Sequence, residues 1–241
     1  MQQYFVNTLF ENECLSLDKE QSHHILHVLR MKEHEKIRIV DKEGVVYLSE
    51  IHICGKQVIA QRLQMLPPNI SPISITLALA LIKKERFDFA IQKACELGVK
   101  QIQPFVSSRC VVKCKKDDAN RKMERWNKIA LEACEQCKRT DLVEVMPPCS
   151  INDLIGMHAD VKLCAYEHAD HHANALKNIL KIQNTVQSFL CVIGPEGGFQ
   201  ESEAKTLISH GFLCTSLGPR ILRAETAAMS IVNTISVFYE S

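Results

Sequence analysis

Phe189-Leu190-Cys191-Val192-Ile193-Gly194-Pro195-Glu196-Gly197-Gly198-Phe199 sets the fold: an apolar run enters a glycine-rich turn without a polar interruption. A short apolar run bounded by turn residues reads as a strand buried on both faces, as in a parallel sheet covered by helices. In open parallel sheets ligands gather at the carboxyl ends of strands, so the turn is positioned to hold one. It is neither the dinucleotide fingerprint G-x-G-x-x-G nor the phosphate loop G-x-x-x-x-G-K-[ST]. It has no lysine, and acidic Glu196 disfavours a polyphosphate.

A second loop, Ser216-Leu217-Gly218-Pro219-Arg220-Ile221-Leu222-Arg223-Ala224-Glu225-Thr226, repeats the Gly-Pro pair and starts the last helix. Two such loops after neighbouring strands can clasp one ligand through backbone groups. Around them, strands are expected at 73–81, 101–105, 142–145, 161–166, 189–193 and 212–216. Helices are expected at 86–97, 121–137, 151–155, 173–180, 202–209 and 225–239. The alternation predicts an α/β domain over residues 71–241 with a largely parallel sheet.

The first 70 residues read differently. Alternating β-branched residues over 36–63, with turns at Gly44 and Gly55, predict antiparallel strands. Ser22 is expected to cap a short helix, His23 to Leu29, so the unit reads as a small β-barrel with one helix. Pro67-Pro68-Asn69 is the linker, and the domain boundary falls near residue 70.

Composition narrows the class. Hydrophobic residues make up 46% and charged residues 24% of the chain, values of an ordinary folded protein. Glycine is scarce, 9 of 241, and Gly194, Gly197, Gly198, Gly211 and Gly218 crowd together, which points to backbone-driven function there. Gly211 reads as a helix stop, whereas Gly197 is expected to reject a β-branched replacement. No run approaches the roughly 20 apolar residues of a membrane span, and the start Met1-Gln-Gln-Tyr-Phe5 lacks the charge of an export signal. With 11 cysteines read as free thiols, the expected compartment is the cytosol. The net charge of +1 hides an asymmetry: −1 over residues 1–70, +5 over 71–150 and −3 over 151–241. An anionic partner is therefore sought in the middle of the chain.

The two Gly-Pro loops, Ile193-Gly-Pro-Glu-Gly-Gly-Phe199 and Leu217-Gly-Pro-Arg-Ile-Leu-Arg-Ala-Glu-Thr-Ala227, resemble the cofactor-loop signatures of the ribosomal RNA small-subunit methyltransferase E family. That family belongs to the SPOUT superfamily. The resemblance extends to His23-His24-Ile-Leu-His-Val-Leu-Arg30-Met31, Ile91-Gln-Lys-Ala-Cys-Glu-Leu-Gly98, Ser108-Arg109-Cys-Val-Val-Lys113 and Trp126-Asn-Lys-Ile-Ala130, and so covers nearly the whole chain in order.

The resemblance implies a PUA-like RNA-binding barrel over 1–70 and a trefoil-knotted α/β methyltransferase domain over 71–241, active as a cytoplasmic homodimer. It implies S-adenosylmethionine as cofactor and methylation of uridine N3 in small-subunit ribosomal RNA, free or within the assembled subunit. Alternatives are ribose 2′-oxygen methylation and a non-catalytic assembly factor. Gly194, Glu196, Gly197, Leu217, Gly218, Ile221 and Leu222 should surround the cofactor. An imide N3–H must lose its proton before or during methyl transfer, so Glu225 and Glu196 are the candidate bases, and Arg223 would stabilise charge on the uracil oxygens. RNA contacts are expected from Arg30, Lys32, Lys83, Arg86, Arg109 and Lys113. The chain has Gln2-Gln3-Tyr4 where the family often carries arginine, which shifts that load toward Arg30 and Lys32.

No metal is expected. Cys110, Cys114, Cys134 and Cys137 superficially resemble a zinc set, but the last two fit the buried face of the Trp126 helix. His168, His171 and His172, with Glu167 and Asp170, have ligand-like spacing but fall in a strand-to-helix loop where polar residues are ordinary, and read as a solvated or substrate-edge loop rather than a metal site.

Overall fold

The computed structural model describes residues 1–112, 116–182 and 186–240. The chain divides into two compact units, residues 1–70 with 134–141, and residues 71–133 with 142–241.

The first unit is a five-stranded sheet of order β1-β3-β4-β5-β2. Its strands are β1 (Gln3–Phe5), β2 (Cys14–Ser16), β3 (Lys36–Val40), β4 (Val46–Cys54) and β5 (Gln57–Leu66). The expected meander is β3-β4-β5, and the two short edge strands carry no pattern long enough to read. Alternation along the meander turns Ile37, Ile39, Tyr47, Ile51, Val58 and Ala60 onto one core with Tyr4, Phe10, Leu17 and Ile25.

The expected helix start is corrected. Helix α1 (Lys19–His23) is capped by Asp18 in a capping box with Gln21. Ser22 is buried and accepts the Val58 N–H at 3.1 Å, so it joins the helix to a strand instead of capping it. Residues His24–Val28 form a wide π-turn that sinks Ile25 into the core. Gln3 belongs to β1 and is fully buried, so the Gln2-Gln3-Tyr4 segment is not a free arm. Residues 134–141, which sequence reading leaves with the second domain, cluster with the first unit. The reason is polar: the Gln3 amide donates to the Arg139 carbonyl, the Phe5 N–H to Glu135 at 3.3 Å, and the Thr140 hydroxyl to the Asn69 carbonyl at 3.0 Å.

The second unit carries a parallel sheet of order β12-β10-β11-β6-β7-β8, with β9 also paired to β7. In chain order it holds β6 (Ser74–Ala80), α2 (Lys84–Glu96), β7 (Gln101–Val106), α3 (Lys116–Cys137), β8 (Glu144–Val145), β9 (Cys149–Ser150) and α4 (Ile151–Ile155). It continues with β10 (Val161–Ala165), α5 (Leu176–Ile182), β11 (Ser188–Ile193), α6 (Glu201–Ser209), β12 (Leu213–Thr215) and α7 (Ala224–Glu240). Strand β11 inserts between β6 and β10, its Leu190 and Val192 fully enclosed with Phe105, Phe199 and Phe212.

This insertion positions the site. From β6 the chain first builds toward β7 and β8, then crosses to lay β10, β11 and β12 on the other side. The order reverses between β6 and β11, where a parallel sheet opens its crevice. Among the described residues no helix is long and apolar enough to cross a membrane.

Candidate active site

Three loops at the carboxyl ends of β10, β11 and β12 build the site, and backbone bonds lace two of them together. The Ser216 N–H donates to the Asn174 carbonyl at 2.9 Å, and the Ser216 carbonyl accepts from Leu176 at 3.2 Å. The Ser216 side chain accepts the Gly218 N–H at 3.3 Å and pairs with His171 Nδ1 at 2.7 Å. Gly218 has φ +123°, a conformation that side chains exclude.

Between these loops lies a cavity of about 350 Å³, within the range of small-molecule sites. Ala165, Leu217, Ile221, Leu222 and Ala227 supply apolar walls, while Glu167, His171 and Ser216 supply polar ones. The lining holds no lysine, and its charged side chains are Glu167 and Arg220, with His171 titratable. Burial and the neighbouring carboxylates Glu167 and Glu201 push the Tyr166 hydroxyl above its ordinary range.

The glycine loop of β11 stands beside this cavity. A Cβ at Gly194 would lie 2.9 Å from the Phe199 ring, which is itself buried and stacked on Phe105. Arg109 donates to the Gly197 carbonyl at 3.0 Å. Ser107 and Ser108 both donate to Glu203 at the start of α6, at 3.1 and 2.8 Å. The loop after β7 thus braces the glycine turn.

A charged cluster sits at the sheet reversal. The Lys83 N–H donates to Glu196 Oε1 at 3.3 Å. The Arg86 guanidinium lies 3.6 Å from Glu196 and 3.8 Å from Glu225. Glu225 is 8% exposed, and its Oε2 has no hydrogen-bond partner.

Of the residues expected at the cofactor, Leu217, Gly218, Ile221 and Leu222 line the cavity. Gly194, Glu196 and Gly197 are not among its lining residues, because the β11 loop packs on Phe199 and Arg109. Of the expected bases, Glu225 and Glu196 meet at Arg86, and Arg223 is exposed. Arg30 and Lys32 are exposed in the first unit, and Lys83 and Arg109 in the second. Lys113 lies outside the described residues.

Sequence reading passes over Tyr166, and it places Glu167 and His171 in a solvated or substrate-edge loop and Ser216 at the start of the second Gly-Pro loop without bringing them together. Pairing of the residue 174–176 segment with Ser216 brings them to the loop of β12, and nothing local signals that pairing. It also missed that Arg86 faces carboxylates.

Among the described residues, neither the His168–His172 cluster nor the cysteine set gathers three ligand groups. His171 pairs with Ser216, while Asp170 accepts the His172 and Ala173 N–H groups at 2.8 and 2.6 Å, which hold its carboxyl below the ordinary range. The described cysteines are free thiols, and Cys114 lies outside the described residues. Glu33, His34 and His52 do converge, on the surface of the first unit, where His34 pairs with Glu50 at 2.8 Å and His52 with Glu33 at 3.0 Å.

Comparison with known proteins gives consistent matches. The model of an RNA methyltransferase domain matches residues 69–236, and that of an RNA methyltransferase PUA domain matches residues 17–61. The chain is 34% identical to ribosomal RNA small subunit methyltransferase E of Bacillus subtilis, over 98% of this chain and 96% of that protein. It is 32% identical to the protein of that name from Mesomycoplasma hyopneumoniae, over 96% of this chain and 97% of that one. The crystal structure of ribosomal RNA small subunit methyltransferase E from Neisseria gonorrhoeae, bound to S-adenosyl methionine, superposes with a TM-score of 0.89. That structure is 29% identical and covers 99% of this chain and 98% of its own.

Proposed function

The chain belongs to the ribosomal RNA small subunit methyltransferase E family, and on that premise we propose that it methylates N3 of a uridine in small-subunit ribosomal RNA, using S-adenosylmethionine. The observation that carries this reading is the cavity of about 350 Å³ at the carboxyl ends of β10 and β12. Its apolar walls suit an adenine ring, and a lining without lysine whose charges are one carboxylate, Glu167, and one guanidinium, Arg220, suits a ligand carrying charges of both signs better than a polyphosphate.

When bound, S-adenosylmethionine supplies an electrophilic methyl group on a sulfonium. Leu217, Gly218, Ile221 and Leu222 would hold it, and Gly194, Glu196 and Gly197 would frame the neighbouring loop. Glu225, buried and with one free oxygen, takes the N3 proton, and Glu196 supports it. Arg223 faces the charge that develops on the uracil oxygens. Residues that hold donor and acceptor together would supply much of the rate, because proximity and orientation lower the barrier.

Arg30, Lys32, Lys83, Arg109 and Lys113 contact RNA phosphates, in a protein that works in the cytosol as a homodimer. Exposed Val237 and Phe238 on α7 support pairing of two chains. Membership of the family supports reading the C-terminal segment as a trefoil-knotted thread.

The test is methylation of small ribosomal subunits, and of free ribosomal RNA, from a strain lacking the enzyme, followed by mass mapping of the product. A single N3-methyluridine is expected. A ribose methyl or no methyl would overturn the assignment. Loss of single-turnover methylation in Arg223→Ala is expected; an unchanged rate in the folded variant would remove Arg223 from the mechanism.

A further inference from the structure

The family resemblance places Arg86 among the residues expected to contact RNA. The structure turns it elsewhere. Its guanidinium stands between Glu196, at the end of β11, and Glu225, at the start of α7, 3.6 and 3.8 Å away. Three segments distant in sequence meet there because β6 and β11 are hydrogen-bonded neighbours, with Leu79 opposite Ile193. Among the described residues Arg86 is the cation paired with Glu225. A buried carboxylate is costly unless an opposite charge stands beside it, and two carboxylates sharing one site repel. Arg86 meets both demands through Oε1 of each glutamate and leaves Glu225 Oε2 buried and unpartnered.

We propose that Arg86 is a positioning residue for methyl transfer: it clamps Glu196 and Glu225 and aims Glu225 Oε2 at the uracil N3 proton. This rests on the functional reading above. As the N3–CH3 bond forms, the S–CH3 bond breaks with its electron pair going to sulfur, and the N3 proton passes to Oε2 and then to water. The sulfonium leaves as a neutral thioether, the uracil remains neutral, and charge balances. Arg86 does not touch the reacting atoms; it acts through Glu225.

The test uses the full-length protein with Arg86→Met, Arg86→Lys, Glu225→Gln and the Arg86→Met/Glu225→Gln double variant. Three quantities are read: cofactor affinity by calorimetry, RNA affinity as a function of salt, and the single-turnover rate at saturating RNA. In Arg86→Met the rate falls by roughly 100-fold, the size of losing one preorganised electrostatic contact. RNA affinity and its salt slope stay at wild-type values. Arg86→Lys recovers part of the rate. The double variant is about as slow as the slower single variant, because both act on one unit.

A wild-type rate in Arg86→Met overturns the proposal. So does a salt slope shallower by about one with an unchanged rate at saturation, which would mark a phosphate contact. Independent, multiplicative losses in the double variant overturn it too. If the wild-type chain methylates no uridine, the functional reading itself falls. If wild type is active and Arg86→Met equally so, only the positioning role falls.

Discussion

Gly198 lies directly against the Glu167 carboxylate: a Cβ added to Gly198 would stand 3.0 Å from Oε2, and the glycine has φ +68°. The loop after β10 therefore rests on the glycine turn after β11 at a point where no side chain can intervene. Gly197, which sequence reading singles out, has room, since its Cβ would meet Arg109 Cβ at an ordinary 3.4 Å.

Gly198→Ala should weaken S-adenosylmethionine binding about tenfold, since a left-handed backbone costs a side chain roughly 1–2 kcal/mol and the Glu167 carboxylate must shift aside. Gly197→Ala should change it less than threefold. Calorimetric titration of both variants checks the contrast, and equal losses would contradict it.

Arg109 braces the same turn through the Gly197 carbonyl. An exposed hydrogen bond of this kind is worth about 0.5–1.5 kcal/mol. Arg109→Ala should thus raise the cofactor dissociation constant by roughly 2- to 10-fold in the absence of RNA, which a purely phosphate-binding arginine would not do. Titration without RNA separates the two roles.

Cys164 and Cys214 stand opposite one another on β10 and β12. The Cys164 thiol donates to Cys214, which brings the Cys214 thiol down to about 7 and drives that of Cys164 up. Cys214 should alkylate with half-maximal rate near pH 7, well before buried Cys191, whose thiol burial pushes up. In Cys164→Ala the donor is gone, and the midpoint should move up toward about 8.5. Peptide mass mapping after timed iodoacetamide pulses reads both values.

On the first unit, hydrogen bonds to Gln61 and Glu33 raise the His52 imidazole above its ordinary range, and the Ile53 N–H lowers the Glu33 carboxyl. A raised histidine stabilises the fold at pH below its unfolded value of about 6.5, and loses that contribution as pH rises through the folded value. A lowered carboxylate stabilises above about pH 4.3 and loses its contribution as pH falls. His52→Gln should therefore melt below wild type mainly between about pH 5 and 6.5 and match it at about pH 8.5. Thermal melts across that range test the sign, and a gap that widens with pH would refute it.

Local pattern carried much of the architecture. The buried run Phe189–Ile193 and the alternation around it specify a parallel α/β sheet, and β3 to β5 specify an antiparallel unit, because hydrophobic periodicity is a local property. The short strands β1, β2 and β9 are not legible, since two or three residues hold no period, and only where the strand–helix alternation calls for a strand, as at β8 and β12, is so short a one placed. The start of α1 differs from the sequence expectation because Ser22, a residue type that caps helices well, is buried and accepts the Val58 N–H, while Asp18 four residues earlier forms the cap.

By itself, then, the sequence determined the element types, the two Gly-Pro loops and the family they mark. Only the tertiary structure decided which residues face one another: Glu167 over Gly198, His171 on Ser216, and Arg86 between Glu196 and Glu225. The physical reason is that strand order is set by burial of whole faces across the sheet. Inserting β11 between β6 and β10 brings together charges more than a hundred residues apart, and no local pattern encodes such a meeting.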